Sequence, residues 1–381
     1  MASSLITSIE DLPPNLASSV SGDEAAYIAE IRRRGLLPFA VTPHFASLAG
    51  PGRDDPIRRQ FFPDPREAIP DPFALDDPLG EACHRAAPRL VHQYPDRALL
   101  LANGACAGYC RHCFRRVWVA RPQGFIADAE LTPILAYLRA HGEIREVLVS
   151  GGDPLMADDR DLERLFRLLR KSRPGLRLRL CTRVPITDPG RIGEDTIAML
   201  RRIAGEVPQH DAVMLRDTSS QRDVASLRCA VHINHPRELS PETRDTLARI
   251  TAAGIPVLVQ TVLLRGINDS TDVLAELVRE CLNLGLIPYY LFQLDLAPGI
   301  AHFRVPLKQG LALYRELKEI VGHWLKLPAY AVDLPGGGGK IRLDENALAG
   351  ERDENGKKVY LLRGPDGKLW LYPADTYPAD E

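Results

Sequence analysis

Between residues 98 and about 322, short apolar runs alternate with stretches whose apolar residues recur at helical spacing. That alternation predicts repeated βα units and a parallel sheet. Residues 98–103 read as a first strand, and 128–141 place Leu131, Ile134, Leu135 and Leu138 on one helical face. The second strand is 146–150; the segment 159–170 after it carries Leu162, Leu165, Phe166 and Leu169 at i, i+3, i+4 and i+7. Strands follow at 176–182, 227–233, 256–263 and 287–293, with helices near 194–204, 271–284 and 308–322. The helix after the fourth strand opens with Ser240 as N-cap and Pro241 at its first position, and closes before Gly254. Six such units are expected to form an α/β fold, either a partial barrel of six βα units or an open doubly wound sheet. Periodicity does not separate the two. In the barrel the site would lie at the carboxyl edge of the strands.

The flanks read differently. Residues 1–97 are rich in proline and aspartate around one helix-like patch at 25–34, which predicts a wrapping N-terminal extension. Residues 98–322 are the core and 323–381 a C-terminal segment. The polar stretch 206–226 lengthens the connection between the third and fourth strands and reads as a surface excursion.

Composition narrows the function classes. With 48 basic and 50 acidic residues the net charge is -2, so no polycationic footprint for nucleic acid exists, nor for anionic lipid. Apolar runs are strand-length, far short of a membrane span, and the first ten residues lack a signal-peptide pattern. A cytoplasmic protein acting on a small molecule or another protein is expected. Seven cysteines, an odd number of which three are clustered, argue against a disulfide framework. Cys83, Cys181, Cys229 and Cys281 read as buried small hydrophobes.

The clustered three carry chemistry. Cys106, Cys110 and Cys113 follow the first strand with the spacing Cys-x-x-x-Cys-x-x-Cys, which predicts three thiolates converging on one point. A structural zinc and an all-cysteine iron–sulfur cluster each need four ligands, so three leave one iron open to an outside chelator. A zinc knuckle using His112 would require that residue to fold back between its own neighbours.

Ser150-Gly151-Gly152-Asp153 follows the second strand. Paired glycines there let a backbone approach a ligand and expose amides, and Asp153 supplies a carboxylate that can meet an ammonium. Farther on, Gly336 to Gly339 precede Lys340. Four ordered glycines are entropically costly. A phosphate-binding Walker loop is ruled out because Ile341 stands in the Ser/Thr place. A lysine on a pliable loop can instead form a Schiff base with pyridoxal 5′-phosphate (PLP).

These segments, with Tyr94-Pro-Asp-Arg97, His232-Ile-Asn-His-Pro236, the run 260–266 from Gln260 and the run 288–295 ending in Asp295, resemble the lysine 2,3-aminomutase family of radical S-adenosylmethionine (SAM), PLP-dependent enzymes over nearly the whole chain. The resemblance favours the partial, TIM-like barrel of the radical SAM type. It implies a 4Fe-4S cluster on the three cysteines, SAM on its open iron, and PLP on Lys340. Tyr94 and Arg97 would hold PLP. His112, Ser150, Gly151, Gly152, Asp153, His232 and Gln260 would be further cofactor contacts. Arg115 would pair with the substrate carboxylate, and Asp295 and Asp333 would grip the ε-ammonium of L-lysine. An isomerase drawing electrons from a donor such as flavodoxin or ferredoxin, and a homo-oligomer, are implied as well. Three features depart from the family: Gln93 replaces an arginine beside the PLP phosphate, Ser270 replaces a zinc-binding cysteine, and 206–226 is extra. Phe114 and residues 154–156 are reminiscent of the branch that makes β-lysine for elongation factor P. An aminomutase acting on glutamate or arginine is the nearest enzyme alternative, and a non-catalytic iron–sulfur carrier the alternative from another class.

Overall fold

The computed structural model describes residues 3–121, 123–205, 226–322, 327–344, 346–354 and 356–374. The excursion expected at 206–226 lies, except for Ser226, outside the described residues. Ten strands form one sheet: β1 (Arg85–Ala87), β2 (Leu90–Tyr94), β3 (Arg97–Asn103), β4 (Glu146–Gly151), β5 (Arg177–Thr182), β6 (Leu227–His232), β7 (Val257–Val262), β8 (Ile287–Phe292), β9 (Ala329–Leu334) and β10 (Gly339–Arg342). Their spatial order repeats their order in the chain. A doubly wound sheet must reverse its strand order at a switch point; this sheet never does, so that alternative is gone. Every pairing from β3 to β9 is parallel, whereas β1–β2, β2–β3 and β9–β10 are antiparallel.

The six expected strands are β3 to β8, each followed by its helix: Asp128–Ala140, Asp159–Ser172, Glu194–Gly205, Pro241–Ala252, Thr271–Asn283 and Leu307–Val321. The helix face at Leu162, Leu165, Phe166 and Leu169 is buried against the sheet, worth about 1.5–3 kcal/mol for each large side chain. Ser240 Oγ accepts from Thr243 N at 3.2 Å, closing the start of Pro241–Ala252 as the sequence predicts.

The parallel run has a seventh strand, β9, that the βα alternation does not reveal, because no helix follows it. Its Tyr330, Ala331 and Val332 are buried. The sheet therefore extends past the 98–322 core on both sides, with β1 and β2 at one edge and β9 and β10 at the other. The N-terminal segment contacts the core, Gln60 Nε2 donating to Glu238 Oε1 at 2.9 Å and Asp55 pairing with Arg237 at 2.7 Å. A second antiparallel sheet, β11 (Leu348–Glu354), β12 (Lys357–Arg363) and β13 (Leu369–Pro373), packs on the β9 side. Tyr372 of β13 donates its hydroxyl to the Leu294 carbonyl at 2.6 Å, fixing the backbone beside Asp295. Among the described residues no helix is long and apolar enough to cross a membrane.

Candidate active site

At the carboxyl ends of the strands lies a cavity of about 390 Å³. Every residue singled out above lines it: Cys106, Cys110, Cys113, Tyr94, Arg97, His112, Arg115, Ser150, Gly151, Gly152, Asp153, His232, Gln260, Asp295, Asp333 and Lys340. Parallel strands in sequential order deliver much of this result, since their carboxyl ends and the loops beyond them meet at one rim. Arg97 enters instead from the opening residue of β3, and Tyr94 and Lys340 from the antiparallel strands β2 and β10.

Lys340 reaches the cavity from a strand, not from a pliable loop as its sequence context predicts. β9 and β10 form a hairpin in which Lys340 stands opposite Asp333, and its Nζ lies 2.5 Å from Asp333 Oδ2. The glycines serve the turn. Gly336 and Gly337 have φ of +70° and +101°, and a Cβ on Gly338 would fall 2.6 Å from both Leu334 and Trp370. The amine lies 4.0 Å from the ring centre of Phe292 and 5.2 Å from that of Tyr290. Tyr94 holds the strand in place by accepting from Lys340 N at 2.9 Å, and Arg97 stacks 4.2 Å above the Tyr94 ring. Gln93 donates to the Gly337 carbonyl at 3.1 Å, so it braces the turn.

Both oxygens of Asp153 are occupied within the protein: they accept from the Thr182 hydroxyl (2.7 and 2.9 Å) and from the amides of Leu155, Arg183 and Val184. Burial pushes its carboxyl up to about 6 against those bonds. The amides of Gly152 and Asp153 donate to the carbonyls of Asn103 and Ala105. This corrects the expectation of exposed amides and an open carboxylate. Asp153 is a brace joining three strand ends, and the carbonyl oxygens of the turn are what it can offer a ligand. A Cβ on Gly151 or Gly152 would fall 2.4 or 2.5 Å from the carbonyls of Asn103 and Ala105, so only glycine lets this turn close on the cysteine loop.

The three clustered thiols face the cavity from one loop, but among the described residues no His, Cys, Asp or Glu group closes to metal-ligand distance. Their spacing predicts convergence, which this arrangement does not show. Burial pushes the Cys113 thiol up to about 11 and Cys106 well above its ordinary value, and each is raised further by its neighbours in the triad. Thiols held protonated by burial, as at Cys106 and Cys113, have no attraction to gather them, whereas a bound cation would draw the triad in. The loop itself is rigidly held: buried Glu67 pairs with Arg111 and Arg116, which flank Cys110 and Cys113 in sequence. Cys181, expected as a core hydrophobe, lines the cavity instead, and Cys83 is exposed; Cys229 and Cys281 are buried as expected.

Opposite the loop, Asp295 is enclosed. Burial pushes its carboxyl up to about 8, with repulsion from Asp333 adding and Lys340 and Arg115 opposing. Arg115 is paired with Glu81, a residue of the N-terminal segment that the sequence did not single out. Neither did it single out Arg179, Arg183, Tyr290 or Phe292, which also line the cavity. For Glu81 no local signal exists, because its segment reaches the site only by packing on the glycine turn, where a Cβ on Gly80 would fall 2.5 Å from Gly337 N. His232 Nε2 donates to Asn234 Oδ1 at 2.9 Å, and burial with Arg183 nearby pulls its imidazole down to about 3, so it is neutral.

Residues 102–278 match the radical SAM superfamily. The chain is 41% identical to "Putative L-lysine 2,3-aminomutase" of Treponema pallidum (strain Nichols), covering 87% of this chain and 89% of that protein. It is 33% identical to the L-lysine 2,3-aminomutase of Clostridium subterminale (88% and 75% covered) and 36% identical to that of Escherichia coli K12 (76% and 78%). Among solved structures, Streptococcus suis SuiB bound to S-adenosylmethionine covers 63% of this chain and 51% of its own, at TM-score 0.45 and 13% identity.

Proposed function

From the premise that this chain belongs to the lysine 2,3-aminomutase family of radical SAM enzymes, we propose that it converts L-lysine to β-lysine by 1,2-migration of the amino group. The single observation that carries the reading is that three cysteines, a lysine amine and a pair of acids from four separate stretches of chain line one cavity.

The residues fit the three groups the family uses. Cys106, Cys110 and Cys113 would hold a 4Fe-4S cluster, a triad with one iron position left for SAM. His112, Ser150, His232, Gln260 and the carbonyls at Gly151 and Gly152 would contact SAM, while Asp153 secures that turn. Lys340 would hold PLP near Tyr290 and Phe292, with Tyr94 and Arg97 also at hand. When bound, these groups supply the radical that removes and returns a hydrogen and the carbonyl carbon that carries the migrating nitrogen.

The chain's own side chains do the positioning. Arg115 would exchange Glu81 for the substrate carboxylate, a swap of one bidentate partner for another. Asp295 and Asp333 would receive the ε-ammonium at the far end. Enclosure of the site would exclude water from a reactive radical. A glutamate side chain would put a third anion against Asp295 and Asp333, which argues against that substrate. A low-potential donor such as flavodoxin or ferredoxin, and assembly as a homo-oligomer, belong to the same proposal.

The test is anaerobic incubation of the reconstituted protein with SAM, dithionite, PLP and a panel of amino acids. Lysine should rearrange fastest, and Asp295→Asn should raise its KM roughly 10- to 150-fold, the loss of one charge-assisted hydrogen bond of about 1.5–3 kcal/mol. Faster turnover of glutamate or arginine would remove the assignment of the two acids.

A proton should also move. Asp295 faces Asp333, Lys340, Arg115 and Glu81, and with its carboxyl near 8 it holds a proton at neutral pH in the ligand-free cavity. An arriving ammonium favours the carboxylate, so the proton leaves on binding. Lysine affinity should therefore rise from pH 6 to about 8 and then level. Calorimetry of the cofactor-loaded protein near pH 7, in buffers of different ionisation heat, should show about one more proton released by the native chain than by Asp295→Asn. Equal release from both would refute this linkage.

A further inference from the structure

Arg183, the first residue after β5, brings a buried guanidinium onto the cysteine loop from another strand end. One end of its guanidinium, Nη1, lies 2.7 Å from Cys110 Sγ. The other, Nη2, donates to Glu238 Oε2 at 2.9 Å and to Gln60 Oε1 at 2.5 Å. Glu238 is fully buried, and its second oxygen accepts from the amides of Asn234 and His235 and from Gln60 Nε2, at 2.9 to 3.0 Å. Asn234 Nδ2 in turn donates to Gln60 Oε1 at 3.0 Å. Among the described residues the guanidinium is thus clamped on its far side, and its near side bonds to the Cys110 sulfur. Nothing in the binding of SAM, PLP or substrate described above uses this contact.

A hydrogen bond to a ligand sulfur and the charge around it are among the levers that set a cluster's reduction potential. We propose that Arg183 sets the reduction potential of the cluster through Cys110, with Glu238 and Gln60 as the brace that keeps it aimed. The inference rests on the cluster reading given above. A donating cation withdraws electron density from the thiolate and stabilises the more negative, reduced cluster. The step is a one-electron transfer from a low-potential donor to the cluster, with no bond formed or broken and no proton moved. Arg183 is a positioning residue in this step, acting through Cys110.

The test is a redox titration of reconstituted protein without SAM, using dithionite as reductant and the electron paramagnetic resonance of the reduced cluster as readout, after iron and sulfide analysis. Arg183→Met should lower the reduced-to-oxidised ratio at a given potential about tenfold, which is about 59 mV for one electron, in the negative direction. Arg183→Lys keeps the charge but loses the fork, and should move it less. Glu238→Gln leaves the guanidinium unbalanced, and should move the potential the other way. Opposite signs for Arg183→Met and Glu238→Gln are what a merely structural role would not produce. Unmoved midpoints in variants that keep their iron would overturn the proposal, and so would shifts of the same sign. Should Arg183→Met fail to load iron, Glu238→Gln decides alone, a positive shift upholding the role and any other result refuting it. A native chain that binds no iron defeats the cluster reading itself, a result visible before any titration begins.

Discussion

Lys340→Ala loses the visible absorption of bound PLP and at least about 10³-fold in turnover, equivalent to about 4 kcal/mol of barrier. Lys340 is the only lysine among the described residues lining the cavity, so no second amine can take over the carbonyl carbon. The geometry makes the result specific. Its amine is already held beside Asp333 and over Phe292, in a place where a flat ring can lie against aromatic side chains. Lys340→Arg provides the control, because it keeps a cation opposite Asp333 and leaves the β9–β10 hairpin intact while removing the primary amine. It should fold as the native chain does and lack the same PLP absorption band. A variant that keeps the absorption band, with PLP attached to another lysine, would end the assignment.

Single alanine substitutions at Cys106, Cys110 or Cys113 should reduce iron from about four atoms per chain to near zero after anaerobic reconstitution, and SAM cleavage should fall below detection with it. Two ligands and an open cavity cannot hold a cluster against solvent. Cys181→Ala is the discriminating control. Its thiol lines the same cavity, with burial pushing it up to about 11, yet it comes from β5 and not from the loop. Iron should be retained when Cys181 is replaced. Loss of iron there, with retention in Cys106→Ala, would mean that the sulfurs have been assigned to the wrong strand.

These two expectations were readable in the chain because their signals are local. Cysteines three and four positions apart on a short loop, and a lysine directly after four glycines, carry their chemistry in their spacing. The same holds for β3 to β8 and their helices, where burial on one face imposes a period. Asp153 shows the limit. A carboxylate after paired glycines looks available until Thr182, Arg183 and Val184, about thirty residues on, are seen to occupy it. Cys181 shows the converse, a residue that reads as core filler and in fact faces the cavity. β9 passed unnoticed because its period is that of any short strand and no helix announces it.

The amino-acid order alone determined the six βα units, the thiol triad and the amine, since each depends on neighbours a short way along the chain. Which groups face one another was decided only by folding: Glu81 on Arg115, Gln60 and Glu238 on Arg183, Lys340 opposite Asp333. Those encounters join residues from 7 to 123 positions apart, and no local pattern records a partner that is brought near only when the sheet closes its rim.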